Sequence, residues 1–428
     1  MRASRGLSVL IVAACTACGG GGKDPAAVTF TAVHRDATPA PGVHVRVSDS
    51  AGAQERVTGV DGTASFPGVH APYTLTYVDG CQGNAVIGPY TYVRTVAGAR
   101  VAEPRAQVEQ GTCTTSWSSS ASATFSGRLL AFDTAVAASE VYFDLPFLWI
   151  HLDSNPMAPA GSYVAHATWP ATSDLAVTLR VIEYEQDLAG NPTRFLGYWT
   201  RALTLADGDD LSGIDLARTE AIAAADVSMP VSNPAALPYR SSAAFLEWAD
   251  GSIAIPVALP SDGIASLELP QIPDLESYSF EVMAASTTTA DLSGCIRQVV
   301  PGVPAGACAL PASSALVAPP DGATLGAATD FAWTPPEAGS VSLLELDCSW
   351  DANGKTNGLS MTVATLGAAT RIPDATSLGA PAIPSGAACS WRVWWEGFGP
   401  VDVALGGPAS GPLDPWRWSG SASRSLAP

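Results

Sequence analysis

Along most of the chain, apolar residues recur at every second position in short runs. Val43, Val45 and Val47 alternate with His44 and Arg46, Ala64 and Phe66 point one way, and Tyr73, Leu75 and Tyr77 repeat the spacing. Period two sends successive side chains to opposite faces of an extended chain, so each run predicts a strand with one face against a core. The same reading covers Val141, Phe143 and Leu145, then Leu175, Val177, Leu179 and Val181, then Ile264 to Leu269 and Tyr278 to Met283. From Phe147 to Leu152 both parities are apolar, which predicts a strand buried on both faces. Near the C-terminus Trp391, Val393 and Trp395 fall on one face of a strand, and Arg392 and Trp394 on the other. Turn signals cut these runs: Ser50-Ala51-Gly52, Asp61-Gly62, Ala189 to Pro192, Asp250-Gly251, and the Asn-Gly pairs at 353–354 and 357–358. Only Ala217 to Ala225 tolerates a helix, and it is short. With 40 glycines and 34 prolines, the chain is punctuated too often for long helices. The fold class this predicts is all-β: tandem β-sandwich domains of Ig-like or transthyretin-like build.

At 428 residues the chain exceeds what one core organises. Composition shifts and proline-rich joints suggest a leader and glycine tether at 1–22, then sandwiches at 23–109, 110–214, 215–311 and 312–428, four in a row. No fixed period points to a solenoid or propeller.

The first residues follow a different logic. Arg2 and Arg5 precede the apolar run Leu7 to Val12, then come small residues, Cys15, Cys18 and Gly19 to Gly22. Charge, apolar stretch and small residues in that order form a secretory leader. With a cysteine at its end, it resembles a bacterial lipoprotein signal, which implies cleavage before the cysteine and acylation there. Val12-Ala13-Ala14-Cys15 matches the expected box, whereas Cys18 gives a longer apolar core and places the glycines directly after the anchor. Cys18 is preferred and Cys15 stays open, as does an unlipidated cut near Ala17. Gly19 in place of aspartate lacks the inner-membrane retention signal of such lipoproteins, so an outer-membrane anchor is expected, with the membrane as a partner through the lipid.

Charge narrows the partners. Only 14% of residues are charged, against about 25% in typical domains, and the net charge is −19. That excess repels phosphate backbones, and no nucleic-acid partner is expected. Outside the leader, Cys81, Cys113, Cys295, Cys308, Cys348 and Cys389 form an even set for an oxidising compartment. Neighbour pairing, Cys81–Cys113, Cys295–Cys308 and Cys348–Cys389, is the simplest arrangement.

Two resemblances add to this. Pro41, Gly42, Val43, Val45, Val47, Gly52, Thr58, Gly62, Phe66, Gly68, Tyr73 and Leu75 resemble the carboxypeptidase regulatory-like domain, a transthyretin-like sandwich. That likeness implies a propping or binding role without catalytic residues. Pro320 to Leu325, followed by Phe331-Ala332-Trp333-Thr334, resembles a fibronectin type III module, with Trp333 as its core tryptophan.

Candidate chemistry is sparse. The five histidines, His34, His44, His70, His151 and His166, form no H-E-x-x-H set, and no serine occupies a G-x-S-x-G elbow. Asp207, Asp209, Asp210 and Asp215 make an acidic loop that offers calcium oxygen ligands, though without the twelve-residue spacing; a solvated connector explains it more simply. No cofactor is otherwise expected. Trp394, Trp416 and Trp418, with Arg392, suggest an aromatic platform for sugars, against packing beneath the C-terminal tail. These features point to a non-enzymatic envelope protein that is structural, adhesive or ligand-binding toward a protein or glycan. The alternatives are a carbohydrate-binding accessory protein and an extracytoplasmic hydrolase.

Overall fold

The alternating runs fold as strands, and burial follows parity in many of them. In Ala27–Val33, for example, Val28, Phe30 and Ala32 are buried while their neighbours are half-buried or exposed. In Leu175–Gln186 it does not, because Leu179 and Val181 face the unit's own core while Ile182 and Tyr184 on the other face are buried in a cluster with Leu246 and Trp248. The computed structural model describes residues 27–34, 38–83, 88–108, 110, 121–130, 139–144, 153–154, 162–169, 174–187, 191–218, 222–233, 237–248, 251–260, 262–272, 275–289, 291–326, 328–337, 340–397, 405 and 416–427. The leader with Cys15 and Cys18, Cys113, His151 and the Phe147 to Leu152 run lie outside these residues. The protein is an all-β assembly of sandwiches.

Each region contributes two facing layers. In the first, the sheet of Thr63–Pro67, Ala27–Val33 and Arg105–Gln107 covers strands His44–Asp49, Gly52–Val57, Tyr73–Cys81 and Tyr90–Ala99. Phe30, Val45, Phe66 and Leu75 fill the space between them. In the second, Ser162–Trp169 and Ala121–Arg128 face Leu175–Gln186 and Pro192–Leu205 around Phe125, Trp169, Leu179 and Trp199. In the third, Ile264–Pro270, Ala224–Ser232 and Cys308–Ala309 cover Gly251–Pro256, Tyr239–Trp248, Ser277–Ala285 and Leu292–Val299. In the fourth, Ala315–Ala318, Asp330–Thr334 and Ala369–Arg371 cover Val341–Ala352, Lys355–Thr365 and Ala388–Glu396. Trp391 is completely buried there, edge-on to Phe331 at 5.1 Å. Trp333 is buried too, its indole N–H donating to Ser342 Oγ at 3.0 Å.

The units are not independent beads in a row. One 14-stranded sheet runs from the third unit through the fourth into the first. Its first joint is a parallel ladder in which Gly358 to Ala364 pair with Tyr90 to Val96. The strands Tyr90–Ala99 and Lys355–Thr365 each have a partner within their own unit on one side only. Pairing the two remaining edges satisfies backbone groups that would otherwise form an exposed template. Side chains cross the joint as well: Val93 belongs to the fourth unit's core, while Val341 and Ala364 belong to the first unit's. Arg46, ion-paired to Glu55 at 2.7 Å within the first unit, also donates to the Asp374 carbonyl of the fourth.

The second joint is the strand Trp416–Gly420, inserted between Leu292–Val299 of the third unit and Ala388–Glu396 of the fourth. The strand that follows, Arg424–Ala427, pairs with Ala388–Glu396 and with Ala323–Thr324. The second unit docks on the third through a shared cluster of Ile182, Tyr184, Phe195 and Tyr198 with Leu246, Trp248, Ile253 and Ile255.

Several local expectations change. Asp61-Gly62 does not close a hairpin. Thr63–Pro67 pairs with Ala27–Val33, so this turn carries the chain from one layer to the other. Asn353-Gly354 does turn a hairpin, with φ of 55° and 72°, whereas Asn357-Gly358 sits inside the returning strand. The helix-tolerant stretch yields a bridge from Arg218 to Trp199 and a strand beginning at Ala224. Arg424, near the C-terminus, is anchored: its guanidinium donates to the Leu316 and Pro319 carbonyls and stacks over Trp391.

Two of the neighbour disulfides are present. Cys295–Cys308 ties the two layers of the third unit, and Cys348–Cys389 joins directly paired residues of adjacent strands. Cys81 is also disulfide-bonded. The Cys348–Cys389 link spans 41 residues, and closing a loop of that length is worth about 3–4 kcal/mol in the chain-entropy model. A Cys348→Ser/Cys389→Ser variant is therefore expected to lower the denaturant midpoint by an amount equivalent to 2–4 kcal/mol (about). An unchanged midpoint in equilibrium unfolding contradicts this.

Candidate functional site

The side of the large sheet opposite the fourth unit's core carries the C-terminal aromatics. Parity in Ala388–Glu396 turns Trp391, Val393 and Trp395 inward, all fully buried. Arg392, Trp394 and Glu396 consequently take the other face. Strand register decides their neighbours: Glu345 lies opposite Arg392, Leu343 opposite Trp394, Gly420 on Trp394's other flank, and Trp418 opposite both Glu396 and Gly294.

These contacts make a tight set. Glu345 Oε2 accepts from Arg392 Nε at 2.6 Å and from the Trp394 indole N–H at 3.1 Å. The Arg392 guanidinium also stacks over the Trp394 ring, 4.7 Å from its centre. Trp394 and Trp418 meet at 6.4 Å between ring centres, tilted by 54°. Each indole lies over a glycine of the neighbouring strand. A Cβ on Gly420 would come within 2.6 Å of the Trp394 ring, and one on Gly294 within 2.3 Å of the Trp418 ring. Only glycine leaves room for an indole there. Trp394, Trp416, Trp418 and Arg392 are all half-buried. The structure thus brings Trp394, Trp418 and Arg392 together. The Trp416 ring N–H is enclosed, one row further along the strand.

Glu345 and Glu396 are the residues the sequence reading missed. Glu345 is the carboxylate that couples Arg392 to Trp394, and its only sequence signal is its polar parity in Val341–Ala352. Glu396 is buried at the end of its strand, and burial pushes its carboxyl up to about 7. A carboxyl whose folded-state pKa is raised is comfortable when protonated. Its contribution is intact below the ordinary carboxylate value of 4.5 and is lost as pH rises through about 7. Stability is expected to fall across that window, on the order of 3 kcal/mol for this group, and Glu396→Gln is expected to flatten the fall. Thermal unfolding at pH 5 and pH 8 tests it: a variant as pH-sensitive as the native chain contradicts the assignment.

The acidic loop is committed elsewhere. Asp207 accepts from the Ser122 N–H at 2.9 Å, Asp209 from Ala206 at 2.8 Å, and Asp215 forms a 2.7 Å ion pair with Arg128 that holds its carboxyl below the usual range. Asp210 begins the short strand that runs parallel to Ala121–Arg128. The loop's carboxylates brace a sheet edge rather than converge, and no group of three or more metal-ligating side chains occurs among the described residues. The described histidines are likewise dispersed: His70 contacts Asp49 at 3.2 Å in the first unit, and His166 contacts Thr124 at 3.1 Å in the second.

No family model and no curated protein matches the chain. Among solved structures, the Bacillus anthracis TIE protein aligns at 8% identity and TM-score 0.15, over 66% of this chain and 49% of that one. A candidate adhesin from Bacteroides ovatus aligns at 7% identity and TM-score 0.18, covering 68% of this chain and 94% of that one. BcpA, the major pilin subunit of Bacillus cereus, aligns at 8% identity and TM-score 0.14, over 66% and 98%. This chain thus spans about half the length of the TIE protein. No role is carried over from any of these proteins.

Proposed function

We propose that the chain is an exported, lipid-anchored envelope protein whose joined β units form a rigid, non-catalytic scaffold for binding or adhesion. The observation that supports this is the sheet continuity. Backbone ladders at Tyr90–Val96 with Gly358–Ala364, and at Trp416–Gly420 with both its flanking strands, replace the flexible linkers usual between domains. Such joints hold a display surface at fixed geometry. Leu7 to Val12, then Cys18 or Cys15 and the glycine tether, provide the outer-membrane anchor. The partner at the displayed surface is a protein or a glycan.

Metabolic labelling with a radioactive fatty acid in a two-membrane bacterium tests this reading. The full chain is expected to carry label in the outer-membrane fraction and to lose it in the Cys15→Ser/Cys18→Ser variant. Unlabelled native chain recovered from the cytoplasm refutes it.

A further inference from the structure

We propose that the Trp394–Trp418 pair is a binding site for a neutral, soluble polysaccharide chain; this names a ligand class for the scaffold reading above and rests on it. Trp394 is held on every side, with Gly420 beneath it, the Arg392 guanidinium stacked on it and its N–H bonded to Glu345. That set fixes the ring's orientation. Trp418 has Gly294 beneath it and Trp394 beside it, and both rings are half-buried. The two half-buried rings, 54° apart with centres 6.4 Å apart, make a shallow aromatic angle.

The apolar C–H face of a pyranose suits an indole surface, as flat apolar faces do generally. A pair of inclined rings matches successive sugars that turn relative to each other, as in a soluble, coiling chain, better than a flat crystalline array. Arg392 and Glu345 stand beside the rings with side chains 35% and 19% exposed. They supply N–H donors and carboxylate acceptors, the groups that hydroxyls require. The net charge of −19 disfavours polyanionic glycans. Two preset rings carry little ordering cost on binding. If the indoles served only to fill the space over Gly294 and Gly420, a glycan would gain nothing from them.

Isothermal titration of the full chain in detergent with maltohexaose, laminarihexaose, cellohexaose and N-acetylated chitohexaose is the test. At least one is expected to bind, about tenfold more weakly to Trp418→Ala, with part of the affinity kept by Trp418→Tyr. Should the alanine variant fail to fold, Arg392→Gln and quenching of tryptophan fluorescence by iodide, with and without sugar, report on the same site: the inference expects weakened binding in the first and protection in the second. Absence of binding by all four sugars overturns the proposal, as does affinity unchanged across the variants. The fatty-acid labelling above reads out independently, so failure here is distinguishable from failure of the scaffold reading.

Discussion

Truncation after residue 415 is expected to unfold the third and fourth units together, although it removes only the chain's last two strands. Trp416–Gly420 supplies the ladder partner of Leu292–Val299 on one side and of Ala388–Glu396 on the other. Its loss leaves two sheet edges open at once. The side chains lost reach equally far: Ser419 Oγ donates to the Ala312 carbonyl at 2.9 Å, and the Val393 N–H donates to Ser421 Oγ at 3.0 Å. Arg424 ties the start of the fourth unit to its last strands, and the Ser425 N–H donates to Asp321 at 2.6 Å. Leu426 leaves the fourth unit's core. A buried leucine alone is worth about 2–5 kcal/mol, and several buried hydrogen bonds add about 1 kcal/mol each. The sum approaches the whole stability of a typical domain, about 5–15 kcal/mol. In a thermal melt followed by tryptophan fluorescence and far-ultraviolet dichroism, the truncated chain is expected to lose the transition that reports Trp391 and Trp395. A transition at the native temperature and amplitude would show the strap to be dispensable.

Much of this architecture was legible in the sequence because parity is a local property. The alternation in Ala388–Glu396 correctly separates Trp391, Val393 and Trp395 from Arg392 and Trp394, since a strand's two faces follow from residue spacing alone. Asn353-Gly354 and Ser50-Ala51-Gly52 turn hairpins for equally local reasons. Two disulfides follow neighbour pairing, because adjacent cysteines in one unit have the shortest loop to close. What parity cannot state is which strand pairs with which. Asp61-Gly62 reads as a hairpin, yet the strand after it crosses to the other layer. The ladder between Tyr90–Val96 and Gly358–Ala364 joins segments from the first and fourth units, so no window of sequence contains it. The candidate site shows the same division. Trp394, Trp418 and Arg392 could be singled out by type, but Glu345, Gly294 and Gly420 matter only through register.

That non-local joint gives the second large prediction. Val93 lies on a strand of the first unit, yet its side chain is 1% exposed within the fourth unit's core, where its ladder partner is Met361. Val45, two strands away in the same sheet and unit, is equally buried but lies in the first unit's own core. An aspartate at either position places a carboxylate at a site the native chain closes to water. The cost is several kcal/mol, about 3–5 where a buried charge lacks its partner. If the units were separate beads, both substitutions would damage only the first. The shared ladder predicts a different pattern. Val93→Asp should disrupt the surroundings of Trp333 and Trp391, shifting their emission to the red at temperatures where Val45→Asp leaves it unchanged. Hydrogen exchange of the Lys355–Thr365 amides provides the second readout: these should lose protection in Val93→Asp and keep it in Val45→Asp. Identical tryptophan emission and identical exchange in the two variants would mean that the parallel ladder does not couple the first and fourth units, and the rigid scaffold would then lose the joint on which it depends.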